Sequence, residues 1–315
     1  MKQHALFRRK FVLFVNSERS RMTVSNLIVL WSLAIVIAAI QEPAHAEEPL
    51  TAREIIDRAV ARADAQYESQ AETSFEWESK SIIQSLDDKH RVTKTERNRY
   101  RLYPVHGAIF DELIEKNGRP LSDKERRKEE QKKQEFIREV EKRKARGEHP
   151  QPEEEPDIHF GKDLVSRYQL EFAGIDTVRE YRCWVIAFKP KDGKLPVRRR
   201  IDRALNQTTG RFFISQDDYG LARLEFTLSK PFNYWGGFLA VIRKTDGQFD
   251  FKRVEENLWL PHHFNLNLDM RIMMIKDIRR HIEINWTGYK RINPSIKPAV
   301  TKDRDITAST LKIPR

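Results

Sequence analysis

PHHFNLNLDMRIMMIKDIRRHIEINWTGY, residues 261–289, decides how the rest of the chain is read. From Phe264 every second residue is apolar: Phe264, Leu266, Leu268, Met270, Ile272 and Met274. Asn265, Asn267, Asp269 and Arg271 stand between them. After Ile275, Lys276 and Asp277 the alternation resumes as Ile278, Ile282, Ile284 and Trp286, with Arg280 interrupting that face. Arg279, His281, Glu283, Asn285 and Thr287 hold the other face. Period two is the strand signal, because successive side chains point to opposite sides. Eleven residues of strand reach roughly 36 Å at about 3.3 Å each, far beyond the usual length. A long hairpin with one apolar and one wet face suits a strongly curved sheet whose inside is either a core or a pocket.

At 315 residues the chain can bury a full core. Its net charge is +11, but the six Lys/Arg and two Glu before Glu47 account for part of it, leaving +7. The remaining cations are interleaved with acids, so no nucleic-acid partner is expected. Leu27–Ile40 is apolar but short for a membrane span, and Ala44-His45-Ala46 follows. This predicts a signal peptide over 1–46, cleaved before Glu47, with Met22 an alternative start and an uncleaved anchor the competing reading. The lone cysteine, Cys183, lies among Trp184, Val185 and Ile186 and reads as a packing residue. No cysteine stands directly after the apolar run, where a lipid would be attached, so a soluble periplasmic protein without a lipid anchor is expected.

Thr51-Ala52-Arg53-Glu54 is a capping box opening an amphipathic helix through Tyr67. Strands follow around Phe75–Ile83 and Val92–Tyr103, the latter so charged that it reads as an edge or a solvated face. Phe110, Leu113 and Ile114 suggest a short strand or turn of helix before Asn117-Gly118. Ser122-Asp123-Lys124-Glu125 opens a charged helical insertion over 122–146, read as a solvated helix with a mobile lid as the alternative. Strands are expected again from about Leu164, at Tyr181–Lys189, Thr209–Ser215 and Leu221–Leu228, and from Phe249. Residues 197–203, rich in Arg, read as a solvated loop, with an anion or phospholipid-headgroup site as the alternative. Phe232–Phe238 is an aromatic loop with two glycines, either a rim or a core corner, and 293–315 reads as a disordered tail. A helix, then antiparallel strands with a helical insertion and no βαβ rhythm, is α+β. One domain should span 47–292.

No phosphate loop, nucleophile elbow or zinc-protease motif occurs, so no enzyme, cofactor or metal is expected. His262 and His263 are adjacent on a strand and point apart. His263, His281 and Glu283 could share a face as metal ligands, but it is the wet one, and ordinary surface histidines are the expected reading. An outer-membrane barrel would need more outward apolar bands.

Four pieces of sequence resemble the outer-membrane lipoprotein-sorting (LolA-like) family. They are the leader followed by an amphipathic helix, Thr209-Gly210-Arg211-Phe212-Phe213-Ile214 with its Asp-Tyr turn, the Ala222-Arg223-Leu224-Glu225-Phe226 return strand, and Trp259-Leu260-Pro261. The resemblance implies an incomplete antiparallel β-barrel wrapped over the N-terminal helix and helical insertion, with an apolar cavity for acyl chains. Expected partners are an acyl chain, phospholipid or lipoprotein lipid, with transient membrane contact. The expected lining is Phe75, Trp77, Phe226, Leu228, Phe264, Leu266, Leu268, Met270, Ile272, Ile282, Ile284 and Trp286, with Arg280 at the rim. The competing reading is an envelope sensor or scaffold that binds a protein through sheet edges or the charged helix.

Overall fold

Helix α1 (Ala52–Ser69) begins where the capping box predicts. The Glu54 amide donates to the Thr51 hydroxyl oxygen, and the Thr51 amide donates to the Glu54 carboxylate at 2.8 Å. Its buried residues, Ile55, Ile56, Ala59 and Val60, fall on one helical face. Gln70, with φ of 51°, ends the helix and a 3-10 turn (Ala71–Ser74) leads into the sheet. The computed structural model describes residues 50–152, 159–199, 201–234, 240–273 and 275–292. The expected leader and tail lie outside these residues, as do Trp235–Phe238 of the aromatic loop, Arg200 and Met274.

Strands β1 (Phe75–Leu86), β2 (Val92–Val105), β3 (Ala108–Lys116) and β4 (Arg119–Pro120) form a meander. Helix α2 (Asp123–Ala145) and a one-turn helix α3 (Lys162–Val165) separate it from β5 (Tyr168–Val178) and β6 (Tyr181–Pro190). A second one-turn helix, α4 (Asp202–Leu205), precedes β7 (Thr208–Ser215), β8 (Leu221–Leu228) and β9 (Phe232–Tyr234). The chain then runs through β10 (Ala240–Glu255), β11 (Leu258–Ile272) and β12 (Lys276–Arg291).

All twelve strands join one antiparallel sheet in the order β4-β3-β2-β1-β12-β11-β10-β8-β7-β6-β5, with β9 beside β10. It does not close, since β4 and β5 stand at its two ends. Register shifts interrupt the ladders at eight places, and each such bulge bends and twists its strand. The fold is the α+β, incomplete curved barrel that the sequence predicts. The long hairpin lies mid-sheet, with β12 paired to β1 and β11 to β10. Of the two expectations for the charged β2, the solvated face holds and the edge does not, since it lies between β1 and β3. One local reading needs correction. Leu164 lies in α3, where the Leu164 amide bonds back to Gly161.

Helix α1 packs on β5 and β7, and its apolar residues join Tyr168, Ile186, Phe188, Phe212 and Ile214 in the main core. A second cluster on β6 holds Tyr181, Cys183 and Val185 with Phe213 and Trp259. Burial pushes the Cys183 thiol up to about 11, as expected of a packing residue. Trp259 lies so close over Gly220 that an added Cβ would meet its indole nitrogen at 2.1 Å.

The Arg-rich 197–203 segment carries its own anion. Asp202, fully buried, accepts the amides of Arg198 at 2.8 Å and Arg199 at 2.9 Å and pairs with the buried Arg167 at 3.1 Å. Burial opposes its charge. The two amides and the guanidinium outweigh that, and hold its carboxyl below the ordinary range. A carboxyl depressed in the folded state stabilises above its unfolded pKa and loses that contribution as pH falls. Asp202→Asn therefore lowers unfolding free energy by about 3 kcal/mol, because Arg167 loses its counter-charge, and flattens the acid limb of the stability profile. Urea denaturation at several pH values checks this; a loss below about 0.5 kcal/mol, the scale of a surface change, contradicts it.

Candidate functional site

Directly opposed residues in antiparallel strands share a face, so the register maps the site. Leu224, Phe249, Phe264 and Ile284 form one row across β8, β10, β11 and β12. Phe226, Gly247, Leu266, Ile282 and Ile83 form the next, reaching β1. Farther along the hairpin come Thr245, Leu268 and Arg280, then Ile242, Met270 and Ile278. Phe249 stacks on Trp286 at 5.6 Å and meets Phe264 edge-on at 5.4 Å. Phe226 lies over Gly247, where an added Cβ would approach its ring at 2.6 Å.

This face is only half-buried from Phe264 to Ile272 and from Ile278 to Ile284, apart from its exposed Arg280. The core clusters of described residues take in Leu224, Phe226 and Trp286 of this face, and none of its residues from Phe264 to Ile284. The packing of α1 falls on β5 and β7, and the 3-10 turn packs at the Leu258 end of β11. The described hairpin thus presents apolar rows beyond the clusters that α1 and the 3-10 turn seal.

The expected lining divides accordingly. Phe264, Leu266, Leu268, Met270, Ile272, Ile282, Ile284 and Trp286 lie along the half-buried hairpin face, and Phe226 continues it from β8 on the far side of β10. Arg280 stands among them opposite Leu268 and Ser85, exposed. Phe75 and Trp77 are sealed with Leu258 and Leu260 in a buried cluster. Leu228 is buried opposite Thr208. Phe249, Ile242, Ile278 and Ile83 belong to the face without having been singled out. Ile278 follows directly from the alternation. Ile242 and Ile83 depend on register.

The reverse face is ionic. Arg243, Arg271 and Arg279 interlace with Asp269 and Asp277: Arg271 to Asp277 at 2.7 Å, Arg243 to Asp277 at 3.2 Å, Arg279 to Asp269 at 3.5 Å, with Arg243 also on Asp269. Arg279 also reaches Asp88. The same hairpin thus repels water on one side and is stitched by charge on the other. His263 sits 3.7 Å from Glu283, while His281 shares a hydrogen bond with Asn267 at 2.9 Å. Among the described residues no three metal-binding side chains converge.

No family model and no curated protein matches the chain. Solved structures similar to it include a putative outer membrane lipoprotein-sorting protein domain from Vibrio parahaemolyticus, 9% identical with a TM-score of 0.30, covering 77% of this chain and 95% of that one. A LolA superfamily protein from Nitrosomonas europaea is 9% identical with a TM-score of 0.26, over 78% of this chain and 94% of that one. A DUF1329 family protein from Desulfovibrio piger is 8% identical with a TM-score of 0.27, over 77% and 95%. Two of the three carry the name of the group that the sequence resembles.

The ionic face makes a direct prediction. The hydrogen bond from Arg271, and after it the charge of Arg243, hold the Asp277 carboxyl at about 2 against the opposing effect of desolvation. NMR titration should place Asp277 at about 2, and Arg271→Gln should raise it. An ordinary carboxylate titration in the unaltered protein contradicts the network.

Proposed function

We propose that this chain is an exported, non-catalytic binding protein whose hairpin face shelters an acyl chain of a lipid or lipoprotein. The observation that carries this reading is the continuity of half-exposed apolar side chains across β8, β10, β11 and β12, backed by a salt-bridged reverse face. An acyl chain in water costs about 0.8 kcal/mol per methylene. A trough of Leu, Ile, Met and Phe recovers that cost without directional bonds, and so tolerates variation in chain length. Among the described residues of the apolar rows Arg280 is the one cation, and it suits the polar end of an amphiphile. The family resemblance in the sequence points the same way.

The test is a displaceable fluorescent fatty-acyl probe. Leu266→Glu puts a carboxylate between Gly247 and Ile282, away from Arg280, whereas at Leu268 the new charge would face Arg280 directly. Leu266→Glu should weaken probe binding at least tenfold, about 1.4 kcal/mol, with the far-UV circular dichroism spectrum retained. Binding that is unchanged in a folded Leu266→Glu protein, or absent in the unaltered one, refutes the proposal.

A further inference from the structure

Strand β3 lies next to one end of the sheet, and β4 pairs with it only at Glu115 and Lys116. The rest of its outer edge is occupied by side chains. Gln151 accepts the Ile109 amide at 2.7 Å and donates to the Ile109 carbonyl at 3.2 Å. Lys132 donates to the Asp111 carbonyl at 3.1 Å. Glu129 accepts the Leu113 amide at 3.2 Å. Ile109, Asp111 and Leu113 are the alternate positions that a neighbouring strand would pair with. Glu129 and Lys132 are three residues apart, on one face of α2. The charged insertion therefore stands in for a missing strand.

Its hold on the sheet is polar. Val140 is the only buried residue of α2, and Phe136 meets Phe110 at 5.2 Å. Beside the same edge lies a cavity of about 530 Å³, bordered by Glu112, Leu113 and Ile114 of β3 and by Arg126, Glu129 and Glu130 of α2. The strand itself is acidic, with Asp111, Glu112 and Glu115 against Lys116. Asp111 is held by the Lys132 ammonium at 3.0 Å, and would lose its counter-charge if α2 withdrew.

We propose that β3 is a strand-addition site for an extended basic peptide, and that α2 with Gln151 is its displaceable guard. The incoming strand takes over the main-chain bonds at Ile109, Asp111 and Leu113. Its cations replace Lys132 opposite the acids. Main-chain pairing gives the affinity and the acids select the charge. The site is separate from the apolar hairpin face and does not depend on the lipid reading.

The experiment uses the full chain and a fluorescein-labelled octapeptide of alternating valine and lysine, followed by anisotropy. The triple variant Glu129→Ala/Lys132→Ala/Gln151→Ala removes the guard, and should bind at least tenfold more tightly than the unaltered protein. Leu113→Pro removes an outward-pointing donor, which an edge strand tolerates. Added to the triple variant, with its circular dichroism spectrum retained, it should abolish the gain. Three results overturn the proposal: equal binding with and without the guard, equal binding of the valine–glutamate octapeptide, or a gain that survives Leu113→Pro. Self-association of the triple variant without peptide binding, seen by sedimentation velocity, also overturns it, because a second copy is then the occupant.

Discussion

The alternation of the β11–β12 hairpin gives the middle of the sheet two unlike faces, because side chains at successive positions cannot avoid opposite sides. β10, which pairs with β11, continues both faces with Ile242, Phe249 and Phe251 against Arg243, Gln248 and Asp250, and β8 beyond it does so with Leu224 and Phe226 against Arg223 and Glu225. On the other flank β1 meets the apolar face of β12 with Ser79, Ser81 and Ser85 around the single Ile83, so the apolar rows fade there. On the polar side, arginines and aspartates lock β10, β11 and β12 together. On the apolar side, α1 seals only the region of β5 to β7, and the 3-10 turn seals the base at Leu258 and Leu260. What extends beyond these two seals is the hairpin's own length, and the binding proposal rests there.

Much of this was legible in the sequence where local chemistry decides structure. Both capping boxes, the β7–β8 hairpin and the alternation after Pro261 need only neighbours in sequence to be read. β10 was legible only from Phe249 onward. Its first half, Arg243-Lys244-Thr245-Asp246-Gly247, has no alternation and becomes strand because β11 pairs with it along its length and β8 joins at Asp246. Leu164 reads as strand because it is apolar, but Gly161 caps a one-turn helix in which Leu164 is the third residue. Phe75 and Trp77 carried the right pattern for a lining, yet the 3-10 turn that covers them is not visible from their own spacing.

Long-range polar contacts were beyond local reading. The Arg-rich segment at 197–203 reads as a solvated loop, with an anion site as the alternative; its sequence does not show that Asp202 within it pairs with Arg167 from before β5 and accepts the Arg198 amide. The charged insertion read correctly as a solvated helix. Its hydrogen bonds to the β3 main chain, from Glu129 and Lys132, span 16 and 21 residues in sequence. They turn a featureless run of Lys and Glu into a cover for an open strand edge, a liability that sheets of this kind must manage.

The central claim is that the hairpin face holds a lipid rather than standing empty or filled by the protein's own side chains. Native mass spectrometry of the protein purified from its own envelope tests this most directly. The account predicts a folded species carrying one bound lipid, lost in Leu266→Glu. A folded protein at its bare polypeptide mass, with added lipid failing to produce an adduct, contradicts it.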